Sequence, residues 1–143
     1  ILSSHCLEHV ANPLKALFRW SEVLVSKGKM LLILPNKIGN FDHKRNETTM
    51  EHLISDYELD ISEDDMTHYD EVVKLHDLNK HPGIKINLDE HIKISRDNFK
   101  NRNMHHHVFS QKLIFKILEF CNFEIIDYYE TNEDLITLCQ KKI

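Results

Sequence analysis

One stretch of the sequence decides the fold: Lys29-Met30-Leu31-Leu32-Ile33-Leu34-Pro35. Its central residues are all apolar, without the alternation of polar and apolar residues that marks a strand with one face in water. Such a continuous run is typical of a strand that is buried on both faces of a parallel sheet. The sequence therefore predicts an α/β fold.

A helix signature precedes this strand and completes a βαβ unit over residues 1–35. Residues 1–4 resemble the last part of an apolar strand, which indicates a piece of a longer protein. Asn12 followed by Pro13 is a typical helix start, because Asn is a favoured N-cap and Pro a favoured first helical residue. Gly28 is predicted to end this helix.

The middle of the chain, residues 36–106, is predicted to be a helical insertion. Its polar and histidine-rich composition is typical of a cover over a site rather than of a core. Thr48 and Glu51 are predicted to form the capping box of a first helix. Ser62 is predicted to cap a second helix, and residues 88–101 are predicted to form a third.

Residues 107–143 are predicted to form a helix followed by a β-hairpin. Ser110 is the predicted N-cap of the helix, and Asn122 its predicted end. Residues 123–130 are rich in β-branched and aromatic side chains, and residues 135–140 follow as a second strand. The connection between the two strands is so short that they must be antiparallel.

The composition excludes several classes of protein. The chain has 143 residues, and its 18 basic and 23 acidic side chains give a net charge of -5. It has no run of Lys and Arg and no apolar stretch of transmembrane length, so neither nucleic acid nor a membrane is an expected partner. The 3 cysteines (Cys6, Cys121 and Cys139) have no CxxC spacing, which predicts a reducing compartment and hence a cytoplasmic protein.

Three segments, taken in this order, resemble class I S-adenosylmethionine-dependent methyltransferases. Ser3–Leu14 is similar to the family's fourth strand and the turn after it, and Lys27–Asn36 to its fifth strand. His107–Ile126 is similar to the helix and sixth strand that follow. Two positions depart from the family pattern: Lys29 and Asn122 each stand where the family has Gly.

The middle of the chain adds to this resemblance. Thr49–Tyr57 and Asn101–His107 are similar to a subgroup of the family that is often found beside sugar-modifying and glycosyltransferase genes. The resemblance implies a partial Rossmann-like sheet, with parallel strands, a C-terminal antiparallel hairpin and the helical insertion as a cover. It also implies methyl transfer to an oxygen of a small or sugar-like acceptor.

The resemblance covers nearly the whole chain but only the second half of the family's domain. The family's Gly-rich turn after its first strand is absent, and so is the acidic residue that holds the ribose hydroxyls. Most contacts to S-adenosylmethionine are therefore expected in a missing N-terminal half. The fragment alone is expected to be inactive and to bind the cofactor weakly or not at all.

Candidate cofactor-binding residues follow the first strand. The resemblance implies that Ser3, Ser4 and His5 lie beside the methionine part of the cofactor; alternatively, Ser4 only caps the turn. The predicted catalytic residues are His107, His105 and His5, because the pKa of histidine lies near neutrality and suits a general base. The alternative for His107 is a bond to a backbone carbonyl.

The predicted substrate-binding residues are Arg45, His52 and Arg102. A guanidinium binds carboxylates and phosphates well, so the two arginines are candidates for gripping such a group on the substrate. Salt bridges to nearby acidic residues are an equally good interpretation for both.

A metal site is the remaining alternative. His5, Glu8 and His9 match the H-x-x-E-H pattern of inverted zinc peptidases, but those enzymes need a continuous ligand helix, and Asn12-Pro13 restarts the chain. Some O-methyltransferases carry a similar E-x-x-E-H turn that binds a divalent metal. We expect no metal. A metal at such a turn would take a fourth ligand from the histidine-rich cover. The alternative functions are a metal-dependent hydrolase that uses His5, Glu8 and His9, and a non-catalytic interaction module.

Overall fold

The computed structural model describes residues 1–83 and 85–143, so residue 84 of the predicted insertion lies outside the described residues. Four strands form one mixed sheet in the order β1-β2-β4-β3. They are β1 (Leu2–Ser4), β2 (Lys29–Pro35), β3 (Phe123–Glu130) and β4 (Asp134–Lys141). Strands β1 and β2 are parallel, and β4 runs antiparallel to both of its neighbours. The predicted α/β class is confirmed, and the predicted hairpin is present.

Strand β2 lies inside the sheet, as its apolar run predicts, but it is parallel only to β1 and antiparallel to β4, and the predicted burial of both faces is found only in part. Met30, Leu32 and Leu34 are 0% exposed, whereas Leu31 and Ile33 are half-buried. One face of the strand is therefore closed completely and the other only in part. Burying each leucine of the closed face contributes about 1.5–3 kcal/mol.

Six α-helices are found among the described residues: α1 (Pro13–Val23), α2 (Met50–Glu58), α3 (Tyr69–Leu75), α4 (Leu88–Arg96), α5 (Asn98–Asn101) and α6 (Gln111–Phe120). Helices α1 and α6 supply leucines and isoleucines to the core around β2. Two predicted caps are confirmed: the side chain of Asn12 accepts a hydrogen bond from the Lys15 amide, and that of Ser110 from the Leu113 amide.

Two predicted helix boundaries are wrong. Helix α1 ends at Val23 and not at Gly28, because Leu24 already has an extended backbone. The N-cap of α2 is Thr49 and not Thr48. The hydroxyl of Thr48 instead accepts a hydrogen bond from the Val108 amide at 3.0 Å and ties the start of α2 to the segment before α6.

The insertion is also less helical than predicted. Turns occupy the residues after Ser62, and α3 begins only at Tyr69. The side chain of Asp65 bonds the Thr67 amide, a local contact that competes with helix formation. The third predicted helix is broken at Asp97 into α4 and α5.

The last third follows the prediction closely. Asn122 has a left-handed backbone with φ of 69°, as expected of a residue that ends a helix. In the hairpin turn the hydroxyl of Thr131 accepts hydrogen bonds from the amides of Glu133 and Asp134. No helix among the described residues is both long enough and apolar enough to cross a membrane.

The burial of the cysteines predicts that one thiol reacts much faster than the others. Cys6 is exposed, whereas Cys121 and Cys139 are 0% exposed and burial raises the pKa of each to about 12. A disulfide reagent at pH 8 should therefore modify one thiol in the folded protein and all 3 in denaturant. A Cys6→Ser variant should show no fast phase; a fast phase of more than one thiol in the parent protein would contradict this burial.

Candidate functional site

A cleft of about 640 Å³ lies at the carboxyl ends of the two parallel strands. Open α/β sheets bind ligands at this edge. The residues after β1 and β2 line one part of the cleft, and the insertion and the hairpin turn line the rest; they include His5, Glu8, His9, Asn40, Phe41, Lys80, His81, Asn103, His105 and Asp134. Gly39 also lines it, where a side-chain Cβ would lie 2.1 Å from the Asn132 carbonyl oxygen.

Glu8 is the most unusual residue of the cleft. It lies in the short 3-10 turn Leu7–His9 and is 0% exposed. Neither carboxylate oxygen has a hydrogen-bond partner among the described residues. Burial raises the pKa of Glu8, because a carboxylate loses its hydration there. A neighbouring positive charge, from a proton or a cation, would therefore stabilise this residue.

Three imidazoles surround Glu8, and each is anchored through one ring nitrogen. His9 Nδ1 lies 3.2 Å from the Met104 carbonyl oxygen, and His5 Nε2 lies 3.0 Å from Asp134 Oδ1. Their other ring nitrogens face Glu8 Oε1, at 3.8 Å for His9 Nε2 and 3.7 Å for His5 Nδ1. Burial lowers the pKa of His9 to about 4, so its inner nitrogen carries a lone pair at neutral pH.

His105 is the most firmly positioned of the three. Its Nδ1 donates to Asp42 Oδ2 at 2.6 Å, and its ring packs against Phe41 and His9 with centroids 4.7 and 4.6 Å apart. Burial opposes ionisation of Asp42, yet the bond from His105 and the charge of Arg45 hold the pKa of Asp42 below its ordinary value. The Asp42 carboxylate therefore fixes the His105 ring with Nε2 left free.

The structure places Arg45 behind this pair and not in the cleft. Arg45 is 2% exposed, and its guanidinium contacts Asp42 at 3.1 Å and Glu71 at 3.2 Å. It also donates to the carbonyl oxygens of His105 and His106. Arg45 thus supports Asp42 and the His105 backbone, and its buried guanidinium does not line the cleft where a substrate would bind.

The other predicted substrate-binding residues also lie outside the cleft lining. Arg102 is exposed, pairs with Glu63, and its guanidinium lies 5.2 Å from the centre of the Phe99 ring. His52 belongs to a separate group of side chains on α2. The salt-bridge interpretation of both arginines is the one that the structure supports.

The three consecutive histidines His105, His106 and His107, which we call the histidine triplet, divide between the cleft and the interior. His105 lines the cleft, but His107 is 1% exposed and its Nε2 donates to the Ala11 carbonyl oxygen at 3.1 Å. Burial lowers the pKa of His107 well below its ordinary value. His106 is 0% exposed and its Nε2 lies 3.2 Å from the side-chain amide nitrogen of Asn98, so it does not line the cleft either.

The predicted cofactor-binding residues are similarly divided. His5 lines the cleft and has a left-handed backbone with φ of 47°, which turns the chain sharply after β1. Ser4 is exposed, and Ser3 is buried with a hydroxyl that has no partner among the described residues. Neither serine belongs to the cleft lining.

The cleft also contains a group of side chains that suits a metal ion. One ligand atom from each of Glu8, His9 and His105 lies within 4.8 Å of the others. The metal alternative predicted from the sequence consists of His5, Glu8 and His9, and in the structure His105 takes the place of His5 in this set. A carboxylate and two imidazoles, with the outer ring nitrogens already hydrogen-bonded, are a common ligand set for divalent transition metals. The turn that carries Glu8 and His9 ends at His9, and Val10 is already extended, so these residues do not lie on a continuous ligand helix.

Sequence reasoning missed Asp42 and Asp134, which anchor His105 and His5. Asp42 lies in the polar loop after β2, at the carboxyl edge of the sheet where ligands bind, and this position could have identified it as a candidate site residue. Asp134 was predicted only as part of a turn, because its distance of 129 positions from His5 has no local signature.

Comparisons of this chain with protein-family models, with curated proteins and with solved structures find no match.

Proposed function

We propose that this chain takes part in S-adenosylmethionine-dependent methyl transfer to an oxygen of a small or sugar-like acceptor, as the carboxyl-terminal part of a longer enzyme. One observation carries the proposal. The Asp42–His105 pair faces a cleft at the carboxyl ends of parallel strands, where α/β proteins bind ligands. The parallel pair and the C-terminal antiparallel hairpin are also the sheet elements that the sequence resemblance implies.

His105 acts as the general base in this proposal. Because Nδ1 donates to Asp42, the free Nε2 has the lone pair that takes the proton of an acceptor hydroxyl. S-adenosylmethionine supplies the activated methyl group when it is bound. Burial of the Asp42–Arg45 pair keeps the base in one orientation, which removes the cost of ordering it during each turnover.

The cleft fits the cofactor only in part. His5 is the one predicted cofactor-binding residue that lines it, and Ser3, whose buried hydroxyl has no partner among the described residues, lies two positions earlier in the chain, on β1. The chain has 3 glycines and no Gly-rich turn, so the nucleoside must be held by other residues. β1 is an edge strand, with no neighbour on its other side among the described residues. A further strand carrying that turn would pair there.

The lining of the cleft suits an acceptor with several hydroxyl groups. Lys80, Asn40 and Asn103 offer donors, and Asp134 offers an acceptor, beside the ring of Phe41. A mixture of amides, charges and one aromatic face is the chemistry that binds a sugar-like molecule. It is less suited to a flat apolar acceptor.

Titration calorimetry with S-adenosylmethionine tests the proposal. Residues 1–143 alone should bind with a Kd above about 1 mM, whereas the longer protein should bind with a Kd near 1 µM, about -8 kcal/mol. Micromolar binding by residues 1–143 would contradict the split cofactor site. Absence of binding by the longer protein would contradict methyl transfer itself.

Metal-dependent hydrolysis is the second candidate, and the buried carboxylate of Glu8 favours it. With His9 and His105 it offers three ligands at the wall of an open cleft, which leaves room for a metal-bound water. Hydrolysis of an ester or phosphate that is lost after chelation and restored by zinc or manganese would support this candidate over methyl transfer.

A further inference from the structure

A second group of histidines lies apart from the cleft. It consists of His52 and Asp56 on α2, His68 at the start of α3, and His107 before α6, and we call it the His52 group. One ligand atom from each of the four lies within 4.8 Å of the others. None of the four lines the cleft. Positions 52 and 56 are one helical turn apart, so α2 presents both side chains on the same face.

Two imidazole nitrogens of this group are too close to be left without a shared partner. His52 Nε2 lies 3.1 Å from His68 Nε2, and 3.3 Å from Asp56 Oδ2. Two bare lone pairs at this distance repel each other, and two N–H groups clash. Either one proton lies between them, or one cation accepts both lone pairs.

Asp56 supplies the negative charge beside them. The residue is 8% exposed, and its Oδ2 has no hydrogen-bond partner among the described residues. An ionised carboxylate without such a partner is costly in a buried position unless a cation neutralises it. Its backbone carbonyl accepts a hydrogen bond from Asn12, so the end of α2 is fixed in place.

The separations fit a tetrahedral zinc ion. Zinc–nitrogen and zinc–oxygen bonds of about 2.0–2.1 Å place neighbouring ligand atoms ~3.3 Å apart. The observed 3.1 and 3.3 Å agree with that spacing. The remaining ring nitrogen of His68 faces Glu71 Oε2 at 3.9 Å, and a carboxylate in this place commonly orients a metal-bound imidazole.

His107 closes the group on its interior side. Its Nε2 lies 3.8 Å from Asp56 Oδ2 but donates to the Ala11 carbonyl, so this nitrogen has no lone pair for a metal in this arrangement. His52, whose side chain is 40% exposed, closes the outer side and leaves access from solvent. The group therefore has three available ligands and one position open to water.

We propose that His52, Asp56 and His68 bind a zinc ion, which links α2 to the start of α3 within the helical insertion. The site is separate from the Glu8, His9 and His105 group and does not depend on methyl transfer. Its open position makes the ion exchangeable and removable by chelators.

Zinc titration of tag-free, chelator-stripped protein tests this proposal. The variant is His52→Ala, whose side chain is exposed enough to be removed without a cavity. The matched control is His43→Ala, a histidine with a side chain 31% exposed that bonds Asp77 outside both metal groups. We expect the parent and the control each to bind one equivalent of zinc. The His52→Ala variant should bind this equivalent more than about 100-fold more weakly. A Glu8→Gln variant should keep this equivalent, which separates it from any ion in the cleft.

Three results would overturn the proposal: no zinc bound by the parent, unchanged affinity and stoichiometry in His52→Ala, or loss of the equivalent in Glu8→Gln alone. Circular dichroism reports whether each variant is folded. If His52→Ala does not fold, Asp56→Asn, which keeps the shape of the side chain, replaces it. If both fail, modification of the parent by diethyl pyrocarbonate decides, because zinc should protect His52 and His68 but not His43.

Discussion

Under the function proposed above, His105→Ala in the longer protein is expected to lower methyl transfer about 100-fold to 10,000-fold, the usual contribution of a positioned general base. The residue combines a place in the cleft with a bond from Nδ1 to Asp42. Turnover should be measured per folded molecule at saturating cofactor and acceptor. Added imidazole should restore part of the rate, because it fills the space of the missing ring and supplies a base.

Two variants control this experiment. His43→Ala, outside the cleft lining, should leave turnover unchanged. His107→Ala should lower stability and not turnover per folded molecule, because His107 is buried against the Ala11 carbonyl. Near-normal turnover in His105→Ala would contradict its role as the base. A large loss of turnover per folded molecule in His107→Ala instead would identify His107 as the base.

Arg45→Ala is expected to cost about 3–5 kcal/mol of folding free energy, as removal of one partner of a buried ion pair does. The change leaves the buried Asp42 carboxylate without its cation and takes a donor from the carbonyls of His105 and His106. Stabilities of natural domains are about 5–15 kcal/mol, so this single change removes a large part of the total. Urea unfolding followed by circular dichroism measures the loss.

Arg19→Ala is the matched control for that measurement. Arg19 pairs with Glu22 at 2.7 Å, but both side chains are largely exposed, and such pairs contribute less than about 1 kcal/mol. Equal losses for Arg45→Ala and Arg19→Ala would contradict the supporting role of Arg45. A loss confined to Arg45→Ala agrees with a cleft that is built on a buried charge network.

Local signals explain why most elements of the sheet were predictable. The apolar run of β2 and the Asn12 and Ser110 caps act through neighbouring residues, and each occurs where it was expected. Thr48 was misjudged because two adjacent threonines both qualify as a cap. The backbone pairing of Thr48 with Val108, 60 positions away, decided between them.

The arrangement of the site was less predictable, because it depends on contacts between distant parts of the chain. From the sequence alone, an arginine in a polar loop is a reasonable candidate for binding substrate. In the structure Arg45 is buried beneath the insertion, which the sequence does not show. The choice between His105 and His107 likewise depends on distant partners: His105 bonds Asp42, 63 positions away, and His107 bonds the Ala11 carbonyl, 96 positions away. No pattern within the triplet specifies these partners, since all three residues are the same.

Transfer of a labelled methyl group from S-adenosylmethionine to a panel of hexoses, glycosides and nucleotide sugars tests the central claim most directly. The longer protein should form one O-methyl ether and an equal amount of S-adenosylhomocysteine, and His105→Ala should lose both products together. The contradicting result is a folded longer protein that neither binds S-adenosylmethionine nor releases S-adenosylhomocysteine with any member of the panel.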